Sequence, residues 1–559
     1  MSKWIVHGLL AAGLFSLCAC SDGSAPAPVS TAPPPTMVAP PQDPAPTPAP
    51  TPDPAPTPTG PTWEQGVFEA SSVFKDRCEA PRSGVDIEGT PFPDLPGSLS
   101  EEKFWLRSWT NETYLWNDEV VDQDPALFSD PIAYFDQLKT FETTPSGRLK
   151  DQTHFSQPTE EVLAEFNSAP RSGYGARLLV TSPTPPREVR VLYTEPASPA
   201  SDIVGGRANF VRGSLILEAD GIDVVNGGNT EEEVEIINNA LSPLTAGETH
   251  TFRVRDPDGV ERDIVIVSED VASSAINAVS IILTGTGTVG YVSINTFNTE
   301  ASEIAIQQAI DQLSRSGVND LVLDLRYNEG GLLAIASQLA FMITGESATA
   351  GRTFEALEFN DDAGDLNPVT GDTNEPFPFI NQGVGLSIPA GQALPSLSLS
   401  RVFILSTATT CSASESVING LRGIDVEVVL IGDVTCGKPF GFFPQDNCGT
   451  TYFTTQFRGV NDKGFGDFAD GFAPSNASLP FAVSVPGCSV PDDFSKELGD
   501  PDEALFAAAL QFRADGTCPP VATSPVSIAA RSVVPNGLAI SDLQRSVFDT
   551  NKNAYRPTK

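Results

Sequence analysis

Between residues 289 and 431 short apolar runs alternate with amphipathic stretches, and no feature of this 559-residue chain restricts its fold more. Residues 289–294, 321–325, 402–405 and 426–431 read as buried strands. Residues 300–314 read as a helix, with Ile306, Ile310 and Leu313 on one face and Gly317 just past its end. A second, more apolar helix follows Gly330-Gly331 and runs to about residue 343, and a third begins near Ser412. Strands that alternate with helices need crossover connections, so a largely parallel α/β sheet is expected. Asp500-Pro501-Asp502-Glu503 offers an acidic N-cap, a proline at the first helical position and a glutamate three residues after the cap, for a closing helix over 504–512. Residues 345–398 are polar and weakly patterned, a candidate flap or lid.

The chain is too long for one ordinary domain, and its composition divides it. Lys3 precedes a mostly apolar run over residues 5–19, too short to cross a bilayer, so residues 1–20 read as a signal peptide. The run ends in Leu17-Cys18-Ala19-Cys20, which resembles a bacterial lipobox. The resemblance makes Cys20 the lipidated first mature residue. With Ser21 rather than Asp after it, the expected location is the cell envelope, anchored at the outer membrane and facing the periplasm or the cell surface. An ordinary signal peptide cut nearby is the alternative. Residues 21–62, rich in Pro, Ala and Thr, cannot bury a core and read as a semi-rigid linker. Residues 63–170 are expected to be mainly helical. Ser100 is a possible N-cap there, 132–138 a short helix, and Trp105, Trp109, Tyr114 and Trp116 core aromatics. Residues 171–272 form a β-rich module with strands at 189–193, 214–219, 250–254 and 263–267, and 273–518 the α/β domain. Residues 519–559 are an unassigned tail.

The net charge is −39, which repels phosphate backbones and argues against nucleic acid as a partner. The same charge argues against loose adsorption to an anionic membrane, leaving the lipid anchor as the only membrane link. Export leaves six cysteines, Cys78, Cys411, Cys436, Cys448, Cys488 and Cys518, and an even number suggests up to three disulfides. Sequence does not fix their pairing; Cys436 and Cys448 are the expected local pair.

Histidine scarcity narrows the chemistry. There are three, His7, His154 and His250, so a His-rich metal centre is excluded and no cofactor is expected. Only His154 is available to a Ser-His-Asp triad. Ser412 follows a strand and opens a helix, which lifts its hydroxyl over the sheet edge beside backbone N–H groups. Ser412 and Glu415 also have capping-box spacing. Lys438 follows the next buried strand, with Phe440, Phe442 and Phe443 close behind. A lysine acts as a base only when neutral, and apolar burial favours that form. Gly330 and Gly331 allow close backbone approach, and their N–H groups with that of Ala413 are candidate oxyanion donors.

Three landmarks in order resemble the carboxy-terminal processing (tail-specific) peptidase family. They are Asp324-Leu325-Arg326-Tyr327-Asn328-Glu329-Gly330-Gly331, Ser412-Ala413-Ser414-Glu415, and Gly437-Lys438, the lysine lying 26 residues beyond the serine. Asp470-Gly471-Phe472-Ala473-Pro474 and Leu498-Gly499-Asp500-Pro501 look like the family's closing segments. The resemblance covers about residues 95–515. It implies a multidomain α/β protein: a crotonase/ClpP-like catalytic domain, a PDZ-like domain and an N-terminal helical region. It also implies a serine endopeptidase acting on exported proteins or peptides, with Ser412 as nucleophile, Lys438 as base and Glu415 in support. Gly173-Tyr174-Gly175 occupies the place of the carboxylate-binding loop, through which such modules bind a peptide C-terminus. Ser214 stands where the family usually has Asp, and Phe442 where it often has Gln, for which Gln445 is a candidate substitute. An inactive peptide-binding scaffold of the same fold is the rival reading, and a Ser412–His154 hydrolase a third.

Overall fold

The computed structural model describes residues 60–520, apart from 168–169 and 183–184. The expected signal peptide with Cys20, most of the Pro-rich linker and nearly all of the tail lie outside the described residues.

The N-terminal region is built on α1 (Leu99–Thr113) and α2 (Pro131–Phe135). Trp105, Trp109, Tyr134 and Phe135 pack into one aromatic cluster with Tyr452 from the far end of the chain. Tyr114 is buried as expected, whereas Trp116 is only half-buried and meets Phe440 edge-on at 4.9 Å. The helix cap is Ser98 rather than Ser100: Ser98 has extended backbone and its side chain accepts from the Glu101 N–H, while Ser100 already lies in the first turn. Two further elements, β1 (Phe155–Pro158) and α3 (Thr159–Phe166), complete the region.

The β-rich module contains β2 (Ala176–Ser182), β3 (Glu188–Thr194), β4 (Leu215–Ala219), α4 (Glu231–Leu241), β5 (Thr249–Arg255) and β6 (Glu261–Val267). The sheet order is β6-β5-β4-β3-β2, so β2 is an edge strand. Phe252, Val254, Ile264 and Ile266 alternate with exposed residues and, with Ile216, bury one sheet face against Ile237 and Ala240 of α4.

The remaining elements form the α/β domain. They are β7 (Ile276–Thr284), β8 (Gly287–Ile294), α5 (Glu300–Arg315), β9 (Asp320–Asp324), α6 (Leu333–Thr344), β10 (Thr353–Glu358), β11 (Arg401–Ser406), α7 (Ala413–Gly423), β12 (Glu427–Gly432), β13 (Thr450–Phe453), β14 (Phe457–Val460), β15 (Gly487–Ser489) and α8 (Ala504–Asp515). The main sheet runs β7-β8-β9-β11-β12-β15, parallel except for the β7–β8 hairpin. Its central strands are apolar on both faces. Leu321, Leu323, Ile404 and Leu430 face a core shared with α5, α6 and α7, while Val322, Phe403, Leu405 and Ile431 face Leu505 and Phe506 of α8.

Three expectations are corrected. Residues 345–398 are not a free flap. Phe354, Phe379, Ile388 and Leu394 are buried in the main core, and β10 pairs with β14. The Glu303 carboxylate on α5 accepts the N–H groups of Val384, Ser387 and Ile388 at 2.8 Å each and so fastens this stretch to the domain. The closing helix does begin at Ala504, but its cap is Glu503, through the Phe506 N–H, rather than Asp500, which accepts the Asp502 N–H in a turn of its own, so Pro501 precedes the helix. The disulfides are Cys78–Cys448, Cys411–Cys436 and Cys488–Cys518. Cys436 does not pair with its near neighbour Cys448, because β13 turns that hairpin toward the N-terminal region, where it also pairs with β1.

Candidate active site

Ser412 sits where the loop after β11 meets α7. Its φ is 55° and ψ −117°, a left-handed conformation that a residue with a Cβ adopts at a cost of about 1–3 kcal/mol. Such a conformation persists only where neighbouring contacts hold it, and here several do. The Cys411 N–H donates to the Asn328 carbonyl at 3.1 Å, and the Ser414 hydroxyl donates to the same oxygen at 2.9 Å. The Thr410 hydroxyl donates to the Leu325 carbonyl at 2.8 Å, and those of Thr407 and Thr409 to the Arg326 carbonyl. The serine turn is therefore stitched to the loop that ends β9. No role was expected of the threonine hydroxyls from sequence; the run Thr407-Ala408-Thr409-Thr410 before Cys411 was the available signal, and Asn328 and Ser414, already within the landmarks, gain theirs from this stitching.

Glu415 is fully buried and joins the two catalytic candidates. Its Oε2 accepts the Ser412 N–H at 3.1 Å and the Lys438 N–H at 2.8 Å, and its Oε1 accepts the Gly437 N–H at 2.9 Å and the Thr435 hydroxyl at 2.5 Å. Burial pushes its carboxyl above the usual range, against the pull of these donors. Losing the carboxylate would strand three buried backbone donors, each at about 1–3 kcal/mol. The capping-box spacing is thus real for the Ser412 N–H, and the same carboxylate serves the lysine loop.

Lys438 is buried, with its Nζ 4.8 Å from the centre of the Phe442 ring. Phe442 is held in turn by Phe155 and Phe453, both edge-on. Gln445, the expected substitute for the family's Gln, pairs with Tyr452 in a short hairpin strand. Gly437 has a φ of 81°, and a Cβ there would lie 2.3 Å from the Ala469 carbonyl oxygen. The tight approach of the lysine loop to residues 469–471 requires glycine.

The Asp324 motif is a scaffold. The Arg326 guanidinium is buried between Asp324, Asp492 and Glu503, and Tyr291 donates to Asp324 at 2.5 Å. Burial alone would raise the Asp324 carboxyl, but Arg326 outweighs it and holds the group below the usual range. Arg212 of the β-rich module reaches the same Asp492 at 2.9 Å, and Arg177 lies 3.7 Å from Glu329. Of the three expected oxyanion donors, Gly330 is corrected: its N–H donates to Asn328 Oδ1 at 2.8 Å. Among the described residues no acceptor takes the N–H of Gly331 or of Ala413. Asn328 Nδ2 is likewise buried without a partner among the described residues, a donor left for substrate or water.

His154 does not join Ser412. Its Nδ1 bonds Thr454 at 2.8 Å, its Nε2 faces the Phe135 carbonyl at 2.7 Å, and burial lowers it to about 4. Cys411, Glu415 and Cys436 form the one compact cluster of potential metal ligands among the described residues, but both sulfurs are spent in a disulfide. In the module, Gly173 pairs with Glu269, the Tyr174 hydroxyl donates to the Ala240 carbonyl at 2.9 Å, and Gly175 adopts a φ of 74° just before edge strand β2. Ser214 donates to Asp256 at 2.6 Å.

Comparison with known proteins agrees with this frame. Residues 288–449 match the model of Peptidase family S41, and residues 101–156 that of the Peptidase S41 N-terminal domain. A chloroplastic C-terminal processing peptidase of Tetradesmus obliquus is 30% identical over 168 residues, which are 28% of this chain. The match spans 34% of that relative's own length. A putative S41 protease from Bacteroides fragilis NCTC 9343 has a TM-score of 0.54 at 21% identity, covering 76% of this chain and 100% of that one, and shares the fold. A photosystem II D1 C-terminal processing protease gives a TM-score of 0.41 at 18% identity over 74% of this chain and 99% of that one. The two matched stretches are thus similar to S41 domains and fall in the N-terminal region and in the α/β domain.

Proposed function

We propose that this chain is a serine endopeptidase of the C-terminal processing type, with Ser412 as nucleophile and Lys438 as general base. The observation that carries the reading is that one carboxylate oxygen, Glu415 Oε2, accepts the backbone N–H of both residues. This fixes the serine turn and the lysine loop in one frame. Neutral Lys438 takes the Ser412 hydroxyl proton, Ser412 attacks the peptide carbonyl, and the N–H groups of Gly331 and Ala413 receive the oxyanion. The lysine ammonium returns the proton to the leaving amine. Water, deprotonated by the same amine, then releases the acyl group and restores Ser412. Glu415 touches neither substrate nor the reacting atoms and acts by positioning.

Exported proteins and peptides are the proposed substrates, met at the cell envelope through a lipid on Cys20. The β-rich module is the proposed reader of their C-termini, by strand addition along β2, which is an edge strand. Phe442, whose ring centre lies 4.8 Å from Lys438 Nζ at a position where the family often has Gln, motivates one rival, an inactive peptide-binding scaffold. Labelling by a serine-directed phosphonate decides between them. The peptidase reading requires one label on Ser412 and none on Ser412→Ala. A folded wild-type protein that takes no label and cuts no peptide would establish the scaffold.

A further inference from the structure

The Cys411–Cys436 disulfide joins the residue just before Ser412 to the residue two before Lys438. Both half-cystines are buried, at 7% and 5% exposure. Residues 433–439, which carry the lysine, form no helix or strand, so their place beside α7 depends on individual links. Toward Ser412 and α7 these are the disulfide, the Cys436 N–H to the Thr410 carbonyl at 3.0 Å, and the bonds to Glu415; the Asp433 N–H to the Ser406 carbonyl at 3.0 Å and the Thr435 N–H to the Phe472 carbonyl at 2.9 Å hold the segment's first half elsewhere. Only the first is covalent, and it acts directly on the residue next to the strained serine. The other two bridges lie elsewhere: Cys78–Cys448 ties the N-terminal region to the β13 hairpin, and Cys488–Cys518 ties β15 to the end of α8.

We infer that the Cys411–Cys436 disulfide is a positioning element of the proposed Ser412/Lys438 site and that peptide cleavage requires it to be oxidised. The inference rests on the dyad reading above. Reduction acts in two ways. It frees residue 411, which helps to hold the left-handed Ser412 conformation. It also creates a thiol at Cys436, whose sulfur lies 3.3 Å from Glu415 Oε2. That S–H is a new donor to the oxygen shared by the Ser412 and Lys438 N–H groups. With dithiothreitol the balance is simple: the S–S bond gains two electrons and two protons to become two thiols, and the dithiol loses the same to become a cyclic disulfide.

The test compares the full-length protein with Cys411→Ala/Cys436→Ala, Cys488→Ala/Cys518→Ala and Ser412→Ala on a peptide substrate. The first variant is expected to lose ~10²-fold in kcat, as for a small misplacement of reacting groups, with KM little changed. Its acid limb of kcat against pH should also move, because the environment of the Lys438 amine changes. A bridge that only stabilised the fold would lower the melting temperature and leave that limb in place. Cys488→Ala/Cys518→Ala should keep the parent kcat and pH profile. Parental kcat and pH profile in Cys411→Ala/Cys436→Ala, with Ser412→Ala inert, would overturn the positioning role alone. Cleavage by Ser412→Ala would instead remove the dyad on which it rests. Should the double alanine variant not fold, stepwise reduction of the wild-type protein with alkylation mapping replaces it. Activity lost with the 411–436 bridge and regained on reoxidation supports the inference. Activity that survives its reduction, or falls only as tryptophan fluorescence reports unfolding, overturns it.

Discussion

The turn at Ser412 and the loop at Gly173-Tyr174-Gly175 each place backbone N–H groups at the end of a strand pattern, yet they are secured by different means. The serine turn holds an unfavourable conformation against Asn328, Leu325 and Arg326 carbonyls, a buried carboxylate and a disulfide. The module loop relies on glycine torsions and ordinary packing. Its carbonyls accept from Ala200 and Glu195, and its tyrosine hydroxyl reaches α4. Rigid, over-determined backbone is what the proposed reacting hydroxyl requires, whereas the loop proposed to dock peptides must adapt to what it receives.

The contrast is broken most directly at the serine turn. Ser412→Ala and Lys438→Ala should each lower kcat ~10³-fold or more while the melting curve stays near that of the parent. Next comes Gly331→Ala. With φ at 136° and a new Cβ 2.2 Å from the Phe297 carbonyl carbon, the donor must move, and steady-state assays should register a ~10²-fold drop in kcat. Smaller effects are expected in the module, and there they appear as stability. Burial pushes Glu195, beside Gly175, up to about 7 from an ordinary 4.5. Its folded form holds a proton that the unfolded chain has released. The stabilisation is therefore complete below pH 4.5 and is lost as pH rises to about 7. Denaturant titrations across that window should show Glu195→Gln removing ~3 kcal/mol of the fall in stability, the buried Glu355 contributing its own share, with cleavage by Ser412 unaffected. Gly175→Ala places a Cβ 2.4 Å from Ser198 at positive φ and should cost ~1–3 kcal/mol by thermal melting. Gly173→Ala meets nothing within 4 Å and should stay within ~0.5 kcal/mol of the parent by the same measurement.

What the sequence made legible follows from the range of each interaction. The strand at Asp320–Asp324 and the helix at Glu300–Arg315 stand within a residue or two of their expected bounds, because a local periodicity encodes them. The module's α4 escaped notice: three glutamates fill its first turn and mask the short apolar stripe of Val234, Ile237 and Leu241. Long-range partners were beyond reach. Nothing near Glu303 marks it as an acceptor for residues 384–388, and nothing near Cys436 selects Cys411 over Cys448. The site was legible where spacing carried it, as in Glu415 three residues after Ser412. Its hydroxyl stitching, and the diversion of the Gly330 N–H to Asn328, needed the folded chain.

The Cys78–Cys448 bridge, its ends 370 positions apart, closes a ring of polypeptide that includes the module, the Asp324 loop, Ser412 and Lys438. A backbone cut anywhere inside that ring opens it without releasing a fragment. A peptidase that nicks itself there stays a single particle, visible as one band on a non-reducing gel and as two once thiols are added.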